Sequence, residues 1–328
     1  MAKKMNRLAL RRTPAVLLAS LLPLTALLSA CTTTDHHVRP ASLGRPVTLA
    51  AMEKAIDQPG PVELQTVNSA DWSVPLSGLL DLNSPAAKAA GLVERDEPIQ
   101  VYLHVLRHPT EGLYLVDTGF AAQSARDPGS VGAGWLVRHE MRLAYLRHHK
   151  GPADVVRETN APLKGVFLTH AHLDHIAGLP EVPLATPIYV GPGETAERHW
   201  THLFIKGMTD QLFAGRPALQ TWNFSEPVAQ ADPDTDRPLA VVDIFGDGSV
   251  FAIHTPGHTQ GSTAYLVRTQ GGPVLLTGDT CHTRWGWEHG VEPGSYTRDA
   301  ARNLASLRQL KALVARHPQI QVRLGHQA

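Results

Sequence analysis

Six consecutive positions, His170-Ala171-His172-Leu173-Asp174-His175, carry three imidazoles and one carboxylate. No packing requirement explains that density, so the fold must bring this segment to a place where metal-binding groups converge. His170 and His172 are two apart, and in an extended segment they point the same way. Asp174 and His175 follow after an expected bend and can address a second ion. The plainer alternative is a polar surface loop rich in histidine.

Three further segments extend the cluster, and each follows a strand-like run that would present it at a sheet edge. Thr255-Pro256-Gly257-His258 follows the run at 250–254, Gly278-Asp279-Thr280 the run at 273–277, and Gly325-His326 the run at 320–324. A glycine directly precedes each candidate ligand, which permits a tight backbone turn beside a metal. Taken singly, His258 reads as a core histidine, Asp279 as a turn residue and His326 as part of a frayed terminus. Together with the cluster they read as ligands. The remaining strand-like runs lie at 99–106, 113–117, 164–169, 188–190, 239–245 and 263–268. Helix-like stretches cover 134–149, 194–204 and 299–317, the last with Leu304, Leu307, Leu310, Leu313 and Val314 on one stripe. Such an order suits two sheets packed together with helices outside.

Residues 1–30 read as separate from the fold. Lys3, Lys4, Arg7, Arg11 and Arg12 precede an apolar run over 15–28 that Ser20, Pro23 and Thr25 interrupt. A charged start, a short apolar core and small residues at its end describe a secretory signal. The run is too short and too broken for a membrane span. Its ending, Leu28-Ser29-Ala30-Cys31, resembles the lipobox of bacterial lipoproteins. That implies a lipid on Cys31 and an exported, membrane-anchored protein facing the periplasm or the cell exterior. An ordinary signal cut near Ala30, leaving Cys31 a plain thiol, is the alternative. Residues 31–60, with His36-His37 and little apolar periodicity, are expected as a tether, and residues 61–328 as one compact domain. Without residues 1–30, 25 basic residues face 30 acidic ones, which lacks the basic footprint of a nucleic-acid binder. With Cys31 acylated, Cys281 has no disulfide partner, so stability must come from a core that a chain of this length can supply. Nothing in the sequence fixes an oligomeric state.

Over about residues 95–328, the ordered set H-x-H-x-D-H, then His, then Asp, then His resembles the metallo-β-lactamase-fold hydrolases. The resemblance implies an α+β fold, a four-layer αββα sandwich with metals at one edge of its two sheets. It implies His170, His172 and His258 as ligands of one ion. Asp174, His175 and His326 would hold the second, with Asp279 bridging both. Leu115-Val116-Asp117-Thr118-Gly119 also matches a family segment, in which Asp117 would buttress the metal loop rather than ligate. Imidazole nitrogens and carboxylate oxygens suit two divalent ions, zinc foremost, with iron, manganese or cobalt also acceptable. A water between two such ions loses a proton near neutral pH and becomes the nucleophile. Asp174 is then a catalytic candidate as proton acceptor, and a metal-dependent hydrolase is the expected enzyme.

The motif pattern is most similar to the N-acyl homoserine lactonase branch, which implies a lactone or ester as the small-molecule substrate. Members of that branch often carry a Tyr three residues after the bridging Asp, to hydrogen-bond the substrate carbonyl. Here His282 stands at that position and is the second catalytic candidate. Trp285 and Trp287 are equally candidates for an acyl-pocket wall or for plain packing. Trp200, Phe204 and Phe213 are candidates for a lid-like helix. Phosphodiester hydrolysis on the same scaffold is an alternative, with Arg284 as the one nearby clamp. β-Lactam hydrolysis is a weaker one, because the best-known exported zinc β-lactamases use a cysteine where this chain has Asp279. From a different class, the alternative is a catalytically idle, lipid-anchored metal-binding protein.

Overall fold

The computed structural model describes residues 32–199, 201–224, 239–291 and 293–327. Fourteen strands among them form two sheets. The first contains β1 (Val38–Pro40), β3 (Glu63–Pro75), β4 (Asp96–His108), β5 (Gly112–Val116), β6 (Arg147–His148), β7 (Leu163–Phe167), β8 (Ile188–Val190) and β9 (Leu219–Thr221), in the order β1-β9-β8-β7-β5-β4-β3-β6. The second contains β2 (Arg45–Val47), β10 (Val241–Asp243), β11 (Val250–His254), β12 (Thr263–Thr269), β13 (Gly272–Leu276) and β14 (Gln321–Arg323), in the order β14-β13-β12-β11-β10-β2.

Side-chain alternation along these strands builds the layers. Tyr114 and Val116 of β5 and Phe167 of β7 face Tyr265 and Val267 of β12 and Val274 and Leu276 of β13, forming the core between the sheets. Their neighbours Leu113, Leu115 and Val166 point the other way, against Met208, Leu212 and Phe213 of the helix His202–Phe213. Ala264, Leu266 and Leu275 of the second sheet turn outward onto Met52 and Ile56 of the helix Leu49–Ile56 and onto Leu310 and Leu313 of the helix Ala300–Arg316. Helix, sheet, sheet, helix is the αββα sandwich that the sequence leads one to expect. The leucine stripe at 299–317 is core, as its spacing indicates.

Three expectations need correction. The stretch 134–149 is α-helical only at Trp135–Glu140, with a short 3-10 turn at Leu143–Tyr145. Arg142 takes a left-handed φ of 52° and stops the helix, and the chain then enters β6, which pairs with Ala70 and Asp71. The stretch 194–204 forms a turn through Ala196, and its helix begins only at His202 and runs on to Phe213. Strand β3 is absent from the sequence reading because a bulge between Asn68 and Ala70 shifts its buried face by one residue. Val67 and Ser69 are buried before the shift, and Ala70, Trp72 and Val74 after it.

The tether expected over 31–60 is instead part of the domain. Thr33 and Thr34 are buried and donate their backbone N–H groups to the Glu197 and Thr195 carbonyls. β1 pairs with β9, β2 pairs with β10, and Met52 and Ile56 are core residues. The secretory signal, the lipid anchor on Cys31 and the exported, membrane-facing location are corrected as well, since they find no support among the described residues. No described helix is long and apolar enough to cross a membrane. Cys31 and residues 1–30 lie outside the described residues, and the only described cysteine, Cys281, is buried and free.

Candidate metal centre

The candidate ligands converge because they follow strands that end at one edge of the sandwich. Asp117 follows β5, the segment 170–175 follows β7, His258 follows β11, Asp279 follows β13 and His326 follows β14. Tyr265 fastens the two sheets there: its hydroxyl donates to the Leu168 carbonyl at 2.8 Å and accepts from Trp222 Nε1 at 3.1 Å. The Ala300–Arg316 helix holds the two loops of the second sheet. Asn303 Nδ2 donates to the Thr280 carbonyl and Ser306 Oγ to the Pro256 carbonyl. His326 is no frayed end, because its backbone N–H donates to the His282 carbonyl and its carbonyl accepts from Gln100 N.

Two groups of donors result. One donor atom from each of His170, His172, His258 and Asp279 lies within 4.8 Å of the others, and the same holds for Asp174, His175, Asp279 and His326. Asp279 belongs to both. Its Oδ2 is 3.6 Å from His170 Nε2 and 3.4 Å from His258 Nε2 in the first group. In the second, Asp174 Oδ2 is 3.4 Å from His175 Nε2 and 3.3 Å from His326 Nε2, and Asp279 Oδ2 is 3.5 Å from His175 Nε2. Four ligands placed tetrahedrally at zinc–nitrogen distances would stand about 3.3 to 3.4 Å apart.

Unsatisfied atoms give an independent test of fit. Buried polar atoms almost always have hydrogen-bond partners, yet His170 Nε2, His175 Nε2, Asp279 Oδ1 and His282 Nδ1 have none. The first three belong to the donor groups, where a metal ion supplies the missing contact. The residues therefore fit a pair of divalent ions of the zinc type.

The ring nitrogens on the far side are anchored. Asp117 accepts from Thr169 N at 2.7 Å and Thr169 Oγ1 at 2.8 Å, and its Oδ2 lies 2.8 Å from His175 Nδ1. It sits at a left-handed φ of 56°, uncommon for a residue with a side chain, and acts as the buttress the family segment implies. His326 Nδ1 lies 2.8 Å from the Gln100 carbonyl, and His258 Nδ1 lies 3.4 Å from Thr297 Oγ1. Such partners fix ring orientation.

Electrostatics divides the two groups. Burial lowers the pKa of His172 to about 4 and those of His170 and His258 well below the ordinary value. Burial also acts downward on His175, but Asp174, Asp117 and Asp279 together raise it well above that value. Asp279 and Asp174 likewise raise His326 against its burial. Burial alone would raise the Asp279 pKa, yet the imidazoles of His326, His282, His175 and His170 hold it well below the usual carboxylate range.

A cavity of about 480 Å³ opens onto the centre. Asp174, Asp279, His172, His258, His282 and His326 lie at its polar end, and Trp72, Val74, Leu79, Ile99, Ile205 and Met208 supply its apolar wall. His282 is buried, with Nε2 3.1 Å from Asp279 Oδ2 and its ring stacked on that of His326. The tryptophans singled out in the sequence are elsewhere. Trp285 packs with Leu76, Leu80 and Val291, and Trp287 with Cys281 and Leu307. Phe213 is core, Phe204 is exposed and Trp200 lies outside the described residues. Ile205 and Met208 of the same helix do face the cavity. Cys281 is a bystander whose thiol pKa burial pushes up to about 12. The apolar wall from β3 and β4 escaped sequence reading because these residues look like any other core positions.

Gly325 lets the last strand approach the shared carboxylate. A Cβ there would stand 2.3 Å from Asp279 Oδ1 and 2.9 Å from the Gly278 carbonyl oxygen. Gly325→Ala should therefore displace Asp279 and lower kcat/KM by about ten- to a hundredfold, in line with misplacement of a supporting group. Steady-state kinetics beside zinc content checks this; unchanged values for both would show that the loop yields freely.

The pattern describing the metallo-beta-lactamase superfamily matches residues 96–326. The N-acyl homoserine lactonase AttM of Azorhizobium caulinodans is 30% identical over 246 residues, covering 70% of this chain and 83% of that protein. AttM of Agrobacterium fabrum is 31% identical over 219 residues, 65% of this chain and 78% of its own. Among solved structures, a quorum-quenching N-acyl homoserine lactone lactonase is alike in fold at a TM-score of 0.56 and 18% identity, with 82% of this chain and 93% of that one covered. The sandwich, the order of donors along the chain and the extent of these matches lead to one conclusion: the chain belongs to the metallo-beta-lactamase superfamily.

Proposed function

We propose that this chain is a dinuclear metal-dependent hydrolase that opens a lactone or cleaves a related ester. The observation that carries the reading is a pair of donor groups sharing Asp279 in a cavity that Trp72, Val74, Leu79, Ile99, Ile205 and Met208 also line. The lactonase names of the relatives in Azorhizobium and Agrobacterium support the substrate class. His170, His172 and His258 would hold one ion, Asp174, His175 and His326 the other, and Asp279 both. When bound, such a pair acidifies water and polarises the ester carbonyl.

The chain's own groups supply the rest. Trp72, Ile99 and Met208 hold the apolar part of the substrate and exclude water around the reacting carbonyl. Attack forms a bond from water oxygen to the carbonyl carbon, and collapse breaks the bond to the ring oxygen. The proton lost from water passes to the Asp174 carboxylate at the cavity floor and from there to the departing alkoxide, giving a hydroxy acid. His282, on the same wall, donates a hydrogen bond to the oxygen on which charge develops. Arg284, the clamp that the sequence offered the phosphodiester alternative, is exposed and does not line the cavity, although Arg298 does.

Assays on lactones of graded acyl length, simple esters, phosphodiesters and β-lactams test the reading; inertness toward every lactone and ester sinks it. His282→Ala should slow lactone opening by one to about three powers of ten with both zinc equivalents retained. An unchanged kcat would remove His282 from the mechanism.

A further inference from the structure

Glu194 belongs to neither donor group, yet it is 1% exposed and lies in the turn that follows β8. Its carboxylate accepts three hydrogen bonds. Oε1 accepts from Ala171 N at 2.7 Å, and Oε2 accepts from Thr259 Oγ1 at 2.6 Å and Gly261 N at 3.1 Å. Ala171 sits between His170 and His172, and Thr259 directly follows His258. One carboxylate thus joins the two segments, from different sheets, that carry all three imidazoles of the first group.

The backbone is shaped around this contact. At Gly261 a Cβ would stand 2.6 Å from Glu194 Cβ and 2.7 Å from its Oε2, and at Gly191 it would stand 1.8 Å from the Gly261 carbonyl oxygen. Both positions must lack a side chain for the two segments to close on Glu194. Burial raises the pKa of this carboxyl, and the hydrogen bonds from Thr259, Ala171 and Gly261 act against that rise. A buried carboxylate is an expensive way to fill space. Fixing two backbone segments relative to each other is a task that needs its two oxygens.

We propose that Glu194 is a positioning residue that sets the affinity of the first metal site by locking the His170–His172 segment to the His258 loop. The second group has separate supports, Asp117 on His175 and the Gln100 carbonyl on His326, so the two sites respond differently to its loss. The inference rests on reading the donor groups as metal sites and is independent of the substrate.

The test is zinc binding to the full chain, stripped and titrated against a chromophoric chelator, with no substrate present. His326→Ala isolates the first group and His258→Ala the second. In Glu194→Gln an amide N–H₂ replaces one acceptor and faces donors it cannot satisfy. In the His326→Ala background this change should raise the zinc Kd roughly 10- to 100-fold. In the His258→Ala background it should leave Kd within about threefold. Thr259→Val removes one of the three donors and should weaken the first site in the same direction by less. Unchanged zinc affinity at the first site, with only a lower melting temperature of the metal-free protein, overturns the proposal. Equal weakening of both sites overturns it too. Should Glu194→Gln not fold, Thr259→Val decides: selective weakening of the first site supports the role, and unaltered binding refutes it.

Discussion

Replacing Asp279 by Asn should lower kcat/KM by about two to four powers of ten and cost at least one equivalent of zinc. The carboxylate is buried with five imidazole nitrogens around its Oδ2: His282 at 3.1 Å, His258 and His326 at 3.4 Å, His175 at 3.5 Å and His170 at 3.6 Å. It is the one anion common to both donor groups. Removing one partner from a buried charged pair costs about 3 to 5 kcal/mol, and each 1.36 kcal/mol is a factor of ten. Asn keeps the shape and loses the charge, so the loss reports electrostatics rather than packing. Zinc content separates two origins of a slow rate, an emptied site and a misaligned one. Activity above a tenth of the wild-type value with two zinc equivalents bound would show that Asp279 does not bridge.

Complete removal of metal should abolish hydrolysis, and acid should remove it in a definite order. Protons compete with metal for the same nitrogens. A group whose pKa is raised keeps its proton to higher pH and so loses metal earlier as pH falls. His175 and His326 are raised by the carboxylates around them, whereas His170, His172 and His258 are depressed, His172 to about 4. The Asp174–His175–His326 site should therefore empty first on descent from neutral pH, leaving a species with one zinc in the His170–His172–His258 site. Zinc counted by mass spectrometry after equilibration along a pH series checks the order. Simultaneous loss, or loss from the first site before the second, counts against the electrostatic division.

The metal centre was legible because its chemistry is local in sequence: each ligand lies within eight residues of a strand's end and, outside the first cluster, directly after a glycine. Asp117 was legible through the family segment that it matches. Glu194 was not. Its partners are backbone N–H groups and a hydroxyl at 171, 259 and 261, and no spacing in the sequence announces a contact made through main-chain atoms. Between pocket wall and plain packing, the two alternatives open for Trp285 and Trp287, the structure shows packing, since nearness in sequence to Asp279 does not decide which way a short helix turns its rings. Among the elements, β11 and β12 were plain because each holds an unbroken apolar run, at 250–253 and 264–267, while the bulge in β3 broke the alternation that would reveal it. Residues 38–47 looked like a linker because three-residue edge strands take their order from the strand beside them, not from their own pattern.

The first donor group draws His170 and His172 from a loop of one sheet and His258 and Asp279 from loops of the other. An ion seated there is a rivet through both halves of the sandwich. Because it is bound only by the folded chain, its contribution to stability grows with the logarithm of free zinc over the dissociation constant. Resistance to unfolding and catalytic competence then follow a single environmental variable. Zinc scarcity would shorten the lifetime of the protein as well as silence it.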